Sequence, residues 1–318
     1  MMDLKRSIRS MRLASSLRRA ATGVAALAGW LSLSAVPAQA QMQTDFSQIE
    51  ATPALWHIGD EDSDIYIFGT FHILPAELDW QSETVTDAFA ASDILMLEAD
   101  VHSPEAQQTM QALIPQLAFN PPGVTLTSLL DADGQALLAE MAPRLGASVA
   151  MLEPMRPWFA QIVLTLGQMQ QLGFDPNAGV ELVLLSARHE GMTMDYFETA
   201  EEQLGFLAGM SETAQVEGLV EGLREMDRLP QELDDMVLAW ARGDMDAVNS
   251  LFLEQMRDEA PEAYQAIIVQ RNHNWVPQII ERLEGEGDYF IAVGAGHLPG
   301  EEGVIALLQA QGYSVTRQ

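Results

Sequence analysis

Short apolar runs, each stopped by glycine or an acidic residue, alternate along this chain with long stretches of helical periodicity. Asp64-Ile-Tyr-Ile-Phe68, ended by Gly69, predicts a buried strand, because β-branched and aromatic residues crowd a run too short for a helix. Residues 94–97, 192–197 and 289–293 read the same way. Between them, a polar stretch has helical potential through Ala91. Ser103-Pro104-Glu105 starts a helix, with a hydroxyl to cap it, proline at its first position and an acid near its positive end. Helical periodicity runs on to about residue 172, broken at Asn120-Pro-Pro-Gly123 and at 154–157, and returns over 180–190 and 200–284. After the last long strand come a glycine-rich loop, a helix over about 303–311 with Gly312 as its cap, and a closing strand at 313–316. Residues 41–63 predict an irregular lead-in. Strands alternating with helices indicate α/β architecture: a mostly parallel sheet, helices on both sides, a large helical insertion, and a site at the carboxyl ends of the strands.

The first forty residues set the expected compartment. Six basic side chains from Lys5 to Arg19 precede an apolar run over about 20–36, and Ala38-Gln39-Ala40 supplies small residues for cleavage, so the mature chain is expected to begin at Gln41. The run is shorter than the roughly 20 residues a membrane span needs. A periplasmic or secreted protein follows, built as one domain over residues 41–318. Arg18-Arg19 leaves the general and twin-arginine export routes both open. With no cysteine, lipid attachment through cysteine, disulfides and thiolate metal sites are excluded. Cleavage would remove six of 16 basic side chains and one of 46 acidic ones, moving the formal charge from −30 to −35. Such a surface repels nucleic acid and anionic headgroups.

Four chemically capable residues stand just past the ends of four predicted strands: His72, Glu98, Glu198 and His297. The two histidines share a grammar of Asp, strand, Gly-x-x-His and proline, as Gly69-Thr-Phe-His72-Ile-Leu-Pro75 and Gly294-Ala-Gly-His297-Leu-Pro299. Parallel neighbouring strands would bring the four to one rim, where imidazole and carboxylate suit zinc, manganese, iron or cobalt. Asp100 competes with Glu98 for the inward position. His57, His102, His189 and His273 lack this context and are expected to be structural or exposed. Gly294-Ala-Gly296 through Gly300 has the wrong spacing for a dinucleotide loop, and no serine-hydrolase elbow, phosphate loop or His-Glu-x-x-His helix occurs.

At these residues the chain resembles the TraB/GumN family, related to the TIKI proteins. The matching pieces include Gly69-Thr-Phe-His72, Leu97-Glu98-Ala-Asp100, Gly179-Val-Glu181, Phe197-Glu198-Thr, Trp240-Ala-Arg-Gly-Asp244, Arg271-Asn272 and Val293-Gly-Ala-Gly-His297-Leu-Pro-Gly300. The resemblance implies an α/β fold of the group that includes erythromycin-esterase-like and ChaN-like proteins. It also implies a divalent-metal site using both histidines and the acids and, for TIKI relatives, metalloprotease activity with manganese or cobalt.

The first functional expectation is an exported metal-dependent hydrolase acting on peptide bonds. His72, His297 and Glu98 would bind the ion, with Glu98 as ligand or as base for its water, and Glu198 would position or ligate. Arg271 would stabilise an oxyanion or a substrate carboxylate, or else form a salt bridge to one of the many acids. Metal-independent esterase-like chemistry, with His72 or His297 as base beside Glu98, is the second expectation. A non-catalytic binding protein for a metal, a haem-like ligand or a peptide is the third.

Overall fold

The last long apolar run of the sequence takes the middle of the sheet. In the computed structural model, which describes residues 44–318, the strands are β1 (Leu55–Gly59), β2 (Asp64–Thr70), β3 (Leu74–Pro75), β4 (Ile94–Ala99), β5 (Phe174–Asp175), β6 (Thr193–Glu198), β7 (Tyr289–Gly294) and β8 (Thr316–Arg317). The leader and cleavage motif expected before Gln41 lie outside the described residues. Six strands form one sheet in the order β6-β4-β7-β2-β1-β8, and β3 pairs with β5 separately. β6, β4, β7 and β2 are mutually parallel, whereas β1 runs antiparallel to both β2 and β8.

Both faces of the central strands are covered. Ile65, Ile67, Phe68, Leu95, Met96, Leu97, Phe290, Ile291, Ala292 and Val293 are each 3% exposed or less. Near-continuous apolar runs are what a parallel sheet buried on both faces requires, which is why these segments read clearly as strands. The helices that bear on the site are α1 (Glu83–Ala91), α2 (Pro104–Leu117), α3 (Pro157–Gln171), α4 (Val180–Ala187), α5 (Ala200–Ala208), α6 (Leu229–Ala241), α7 (Gln270–Leu283) and α8 (Val304–Ala310). Ser103 caps α2 as its sequence predicts, accepting the Ala106 N–H at 3.1 Å. No helix among the described residues is long and apolar enough to cross a membrane.

Several boundaries depart from the sequence reading: β2 runs through Gly69 to Thr70, and β4 and β6 extend to Ala99 and Glu198, so Glu98 and Glu198 lie within their strands rather than just past them. The lead-in contains β1, a five-residue strand joined to β2 by a turn in which the Asp60 carboxylate accepts the N–H groups of Asp62 and Ser63. The closing strand is confined to Thr316–Arg317, because Tyr313 N–H still bonds back to Leu308 of α8. Helix α4 stops at Ala187 rather than Glu190, and Arg188 is already in a non-helical conformation.

Candidate functional site

Because β7 is inserted between β2 and β4, the four strand-end positions fall side by side at one edge of the sheet. Glu198 closes β6, Glu98 is the second-to-last residue of β4, and the loops after β7 and β2 carry His297 and His72. Thr70 pairs with Gly294, so the two Gly-x-x-His loops leave neighbouring strands at the same level. Trp240 of α6 pins the first loop by donating its indole N–H to the Gly69 carbonyl at 2.7 Å. Asp100 does not turn inward; its carboxylate caps the loop ahead of α2 by accepting from His102 N–H, Ser103 N–H and the Ser103 hydroxyl.

Arg271 of α7 is the centre of the cluster. Its Nη2 donates to Glu98 Oε2 at 2.6 Å and Glu198 Oε2 at 2.9 Å, and its Nε donates to Glu198 Oε1 at 2.8 Å. Of the two roles open to Arg271 in the sequence, the salt bridge is made, to both Glu98 and Glu198. The planar guanidinium suits this paired recognition, which a lysine could not reproduce. Trp275, one helical turn further on, donates Nε1 to Glu198 Oε1 at 2.7 Å and lies under the guanidinium at 4.6 Å. Gly294 N–H occupies the other oxygen of Glu98 at 2.6 Å, and Gln203 of α5 donates to Oε2 at 3.3 Å. All four oxygens of the two buried carboxylates are thus engaged.

Each histidine has its Nδ1 held by an acceptor. Asn272 Nδ2 donates to the carbonyls of His297 and Glu302, so its Oδ1, 2.7 Å from His297 Nδ1, must accept from that nitrogen. The proton of His297 is assigned to Nδ1, and Nε2 keeps the lone pair, 3.2 Å from Arg271 Nη1 and 3.8 Å from Glu98 Oε1. His72 Nδ1 lies 2.7 Å from Glu181 Oε1, an oxygen that also accepts from the Thr70 hydroxyl. Gly179 makes this approach possible: a Cβ there would stand 1.9 Å from the His72 carbonyl oxygen. The start of α4, with Val180 N–H bonded to the Phe71 carbonyl, could not then close on the loop. His297 is fully buried and the His72 side chain is 10% exposed, so His72 is the imidazole closer to solvent.

Burial opposes every charge here, and the partners decide the outcome. Burial raises the Glu98 carboxyl, but Arg271, then the two histidines and the Gly294 N–H, outweigh it and hold the group at about 2. Burial and then Arg271 push His297 down to about 3, keeping it neutral. Glu198 moves upward, because burial exceeds what Arg271 returns. Glu181 moves downward, its burial being outweighed by His72 and Thr70.

The donor types at this rim suit a divalent ion, and the present arrangement engages them with one another. Glu98 is saturated, His297 Nε2 faces a guanidinium, and among the described residues no three His, Asp or Glu side chains are grouped to hold an ion. Outside the cluster, His57 bonds Asp64 at 2.6 Å, His189 bonds the Ser92 carbonyl at 2.9 Å, and His273 pairs with Glu302 at 3.1 Å, while His102 is exposed. Glu181, Asn272, Trp275 and Gln203 are members that the sequence reading did not single out as site residues. The i, i+4 spacing of Arg271 and Trp275 on a periodic helix was the available signal for one of them.

Fold and site together define an α/β protein with a buried carboxylate–guanidinium–imidazole centre at the carboxyl edge of its parallel strands. The chain belongs to the TraB/PrgY/gumN family, whose model matches residues 54–317. Comparison with curated proteins and with solved structures returns no significant match.

Proposed function

We propose that this protein is an exported hydrolase of the periplasm or extracellular space, acting on an acyl bond through His72 as general base. The observation that carries the reading is the His72 imidazole with its Nδ1 beside Glu181 Oε1 at 2.7 Å, which leaves Nε2 as its working atom. His72, backed by Glu181 and nearer solvent, takes a proton from water as the water oxygen bonds to the carbonyl carbon. The carbonyl oxygen gains negative charge in the field of Arg271, whose position two carboxylates fix in advance. Collapse breaks the bond to the leaving group, which receives the proton held by His72. His297, neutral and buried, is a positioning residue for Arg271.

Metal-dependent hydrolysis, including the peptidase activity that the TIKI resemblance implies, is the second reading. An imidazole whose Nδ1–H is held by a carbonyl or carboxylate is the usual form of a histidine ligand. His72, His297 and Glu98 would hold manganese, cobalt or zinc once Arg271 released Glu98, and the ion would supply hydroxide at neutral pH. The test is hydrolysis of a peptide library and of simple esters by protein stripped with a chelator, beside elemental analysis of the purified protein. Activity that survives stripping and is lost in His72→Ala supports the first reading. Activity abolished by stripping and restored by manganese or cobalt overturns it in favour of the second, and no turnover under any condition overturns both.

A further inference from the structure

Between the two Gly-x-x-His loops lies a cavity of about 20 Å³, room for one or two water-sized groups. Phe71 and His72 from the first loop and Gly296 from the second form part of its lining, with Met236 of α6, Val248 and Phe252. Apart from the His72 ring and the Thr70 hydroxyl, which is already donated to Glu181, the lining side chains are apolar. Water there would find few of the two to four polar partners that hold a buried water in place.

The local backbone preserves this space. Phe252 stands on a π-helical turn, Asn249–Leu253, and such single turns re-aim side chains at functional sites. Its ring lies flush on the second loop only because residue 296 has no side chain: a Cβ there would be 2.6 Å from Phe252 Cε1. The result is a small, partly open, mostly apolar recess with His72 in its lining.

Resting on the hydrolase reading above, we infer that this recess is the acyl pocket and that the substrate carries a short acyl group of two or three carbons. The one- or two-carbon alkyl stub of such a group matches the one or two water-sized groups that the space admits and leaves its carbonyl carbon beside His72. Longer chains meet Phe252 and Val248. A chain too long for the space should lose about tenfold or more in kcat/KM.

The test uses p-nitrophenyl acetate, propionate, butyrate and hexanoate with the purified protein. The wild type should lose at least about tenfold in kcat/KM between propionate and hexanoate, and Phe252→Ala should raise the hexanoate-to-propionate ratio at least about tenfold. Val248→Ala trims the same wall more gently and should move the ratio in the same direction if Phe252→Ala does not fold. An activity-independent readout comes from 13C-methyl methionine NMR, with Met236 assigned through Met236→Leu. Propionamide should move the Met236 methyl signal and hexanamide should not. An unchanged ester profile in both variants, or a Met236 methyl unmoved by propionamide, overturns the assignment. If no ester is hydrolysed but propionamide still moves the signal, the hydrolase reading fails and the short-chain pocket stands.

Discussion

Replacing Arg271 by methionine keeps an unbranched side chain and removes the charge that two buried carboxylates share. The Arg271 side chain is 4% exposed and those of Glu98 and Glu198 are 6% exposed, so water cannot take over the three bonds lost at 2.6, 2.8 and 2.9 Å. Breaking a buried pair by removing one partner costs about 3–5 kcal/mol. At about 1.4 kcal/mol per tenfold, that shifts the folding equilibrium by roughly two to three and a half decades, out of a total stability of about 5–15 kcal/mol. The penalty depends on pH with a definite sign. Without the cation, burial raises both folded carboxyls above their unfolded values, so the destabilisation is full at high pH and fades as pH falls through the raised folded values. In the wild type, Glu98 is held at about 2 and its ion pair persists throughout that window. Urea unfolding followed by tryptophan fluorescence at pH 8, 6.5 and 5, in chelator, should show the gap between wild type and Arg271→Met narrowing toward pH 5. Adding Glu98→Gln to the variant should recover part of the loss. A gap under about 1 kcal/mol at pH 8, or one equal at pH 8 and pH 5, would refute the account of the cluster as a desolvated ion pair.

His297 gives a second pH test. Its folded value of about 3 lies below the unfolded value near 6.5, so the unfolded chain binds the extra proton between the two. Stability is complete above that window and declines as pH falls through it, by up to about 1.4 kcal/mol per pH unit. His297→Gln should remove that slope between pH 6 and 4.5, and an identical slope would contradict the buried neutral assignment. Gly179→Ala should cost on the order of 1–3 kcal/mol and shift the His72 imidazole 15N resonances as Glu181 is driven away; unperturbed resonances would mean that α4 is not held by this approach. Trp240→Phe leaves the Gly69 carbonyl without its indole donor and should lower stability by about 1–3 kcal/mol in urea unfolding; no loss would show that the bond does not hold the loop.

The strands that carry the chemistry were legible because a parallel strand buried on both faces is an unbroken apolar run. Their order was not legible. Residues 65–68 and 289–293 look alike in sequence, and nothing in either says that they are neighbours. β1 was missed because Trp56-His57-Ile58 alternates weakly over five residues, and its partners lie on one side in β2 and on the other at the far end of the chain. Glu98 and Asp100 could not be told apart by alternation, since the difference lies in the cap that Asp100 makes ahead of α2. Glu181 and Asn272, quoted in the family resemblance, were given no site role for a different reason. They sit on helices, and the partners that give them meaning, His72 and His297, reach them only through the sheet order.

The position of β7 also governs how the molecule can be made. It pairs with β2 across a sequence gap as wide as the 224 residues between Asp64 and Asp288, whose backbone N–H and carboxylate meet beside the first register pair. Contacts this distant must close a long loop before they return any energy, which slows folding. Until residue 289 is available, β1–β2 and β4–β6 are two separate ribbons, each with an unpaired inner edge. Such edges invite pairing with other chains. A chain halted or clipped before β7 therefore presents two half-sheets with unpaired edges rather than a smaller version of the same fold.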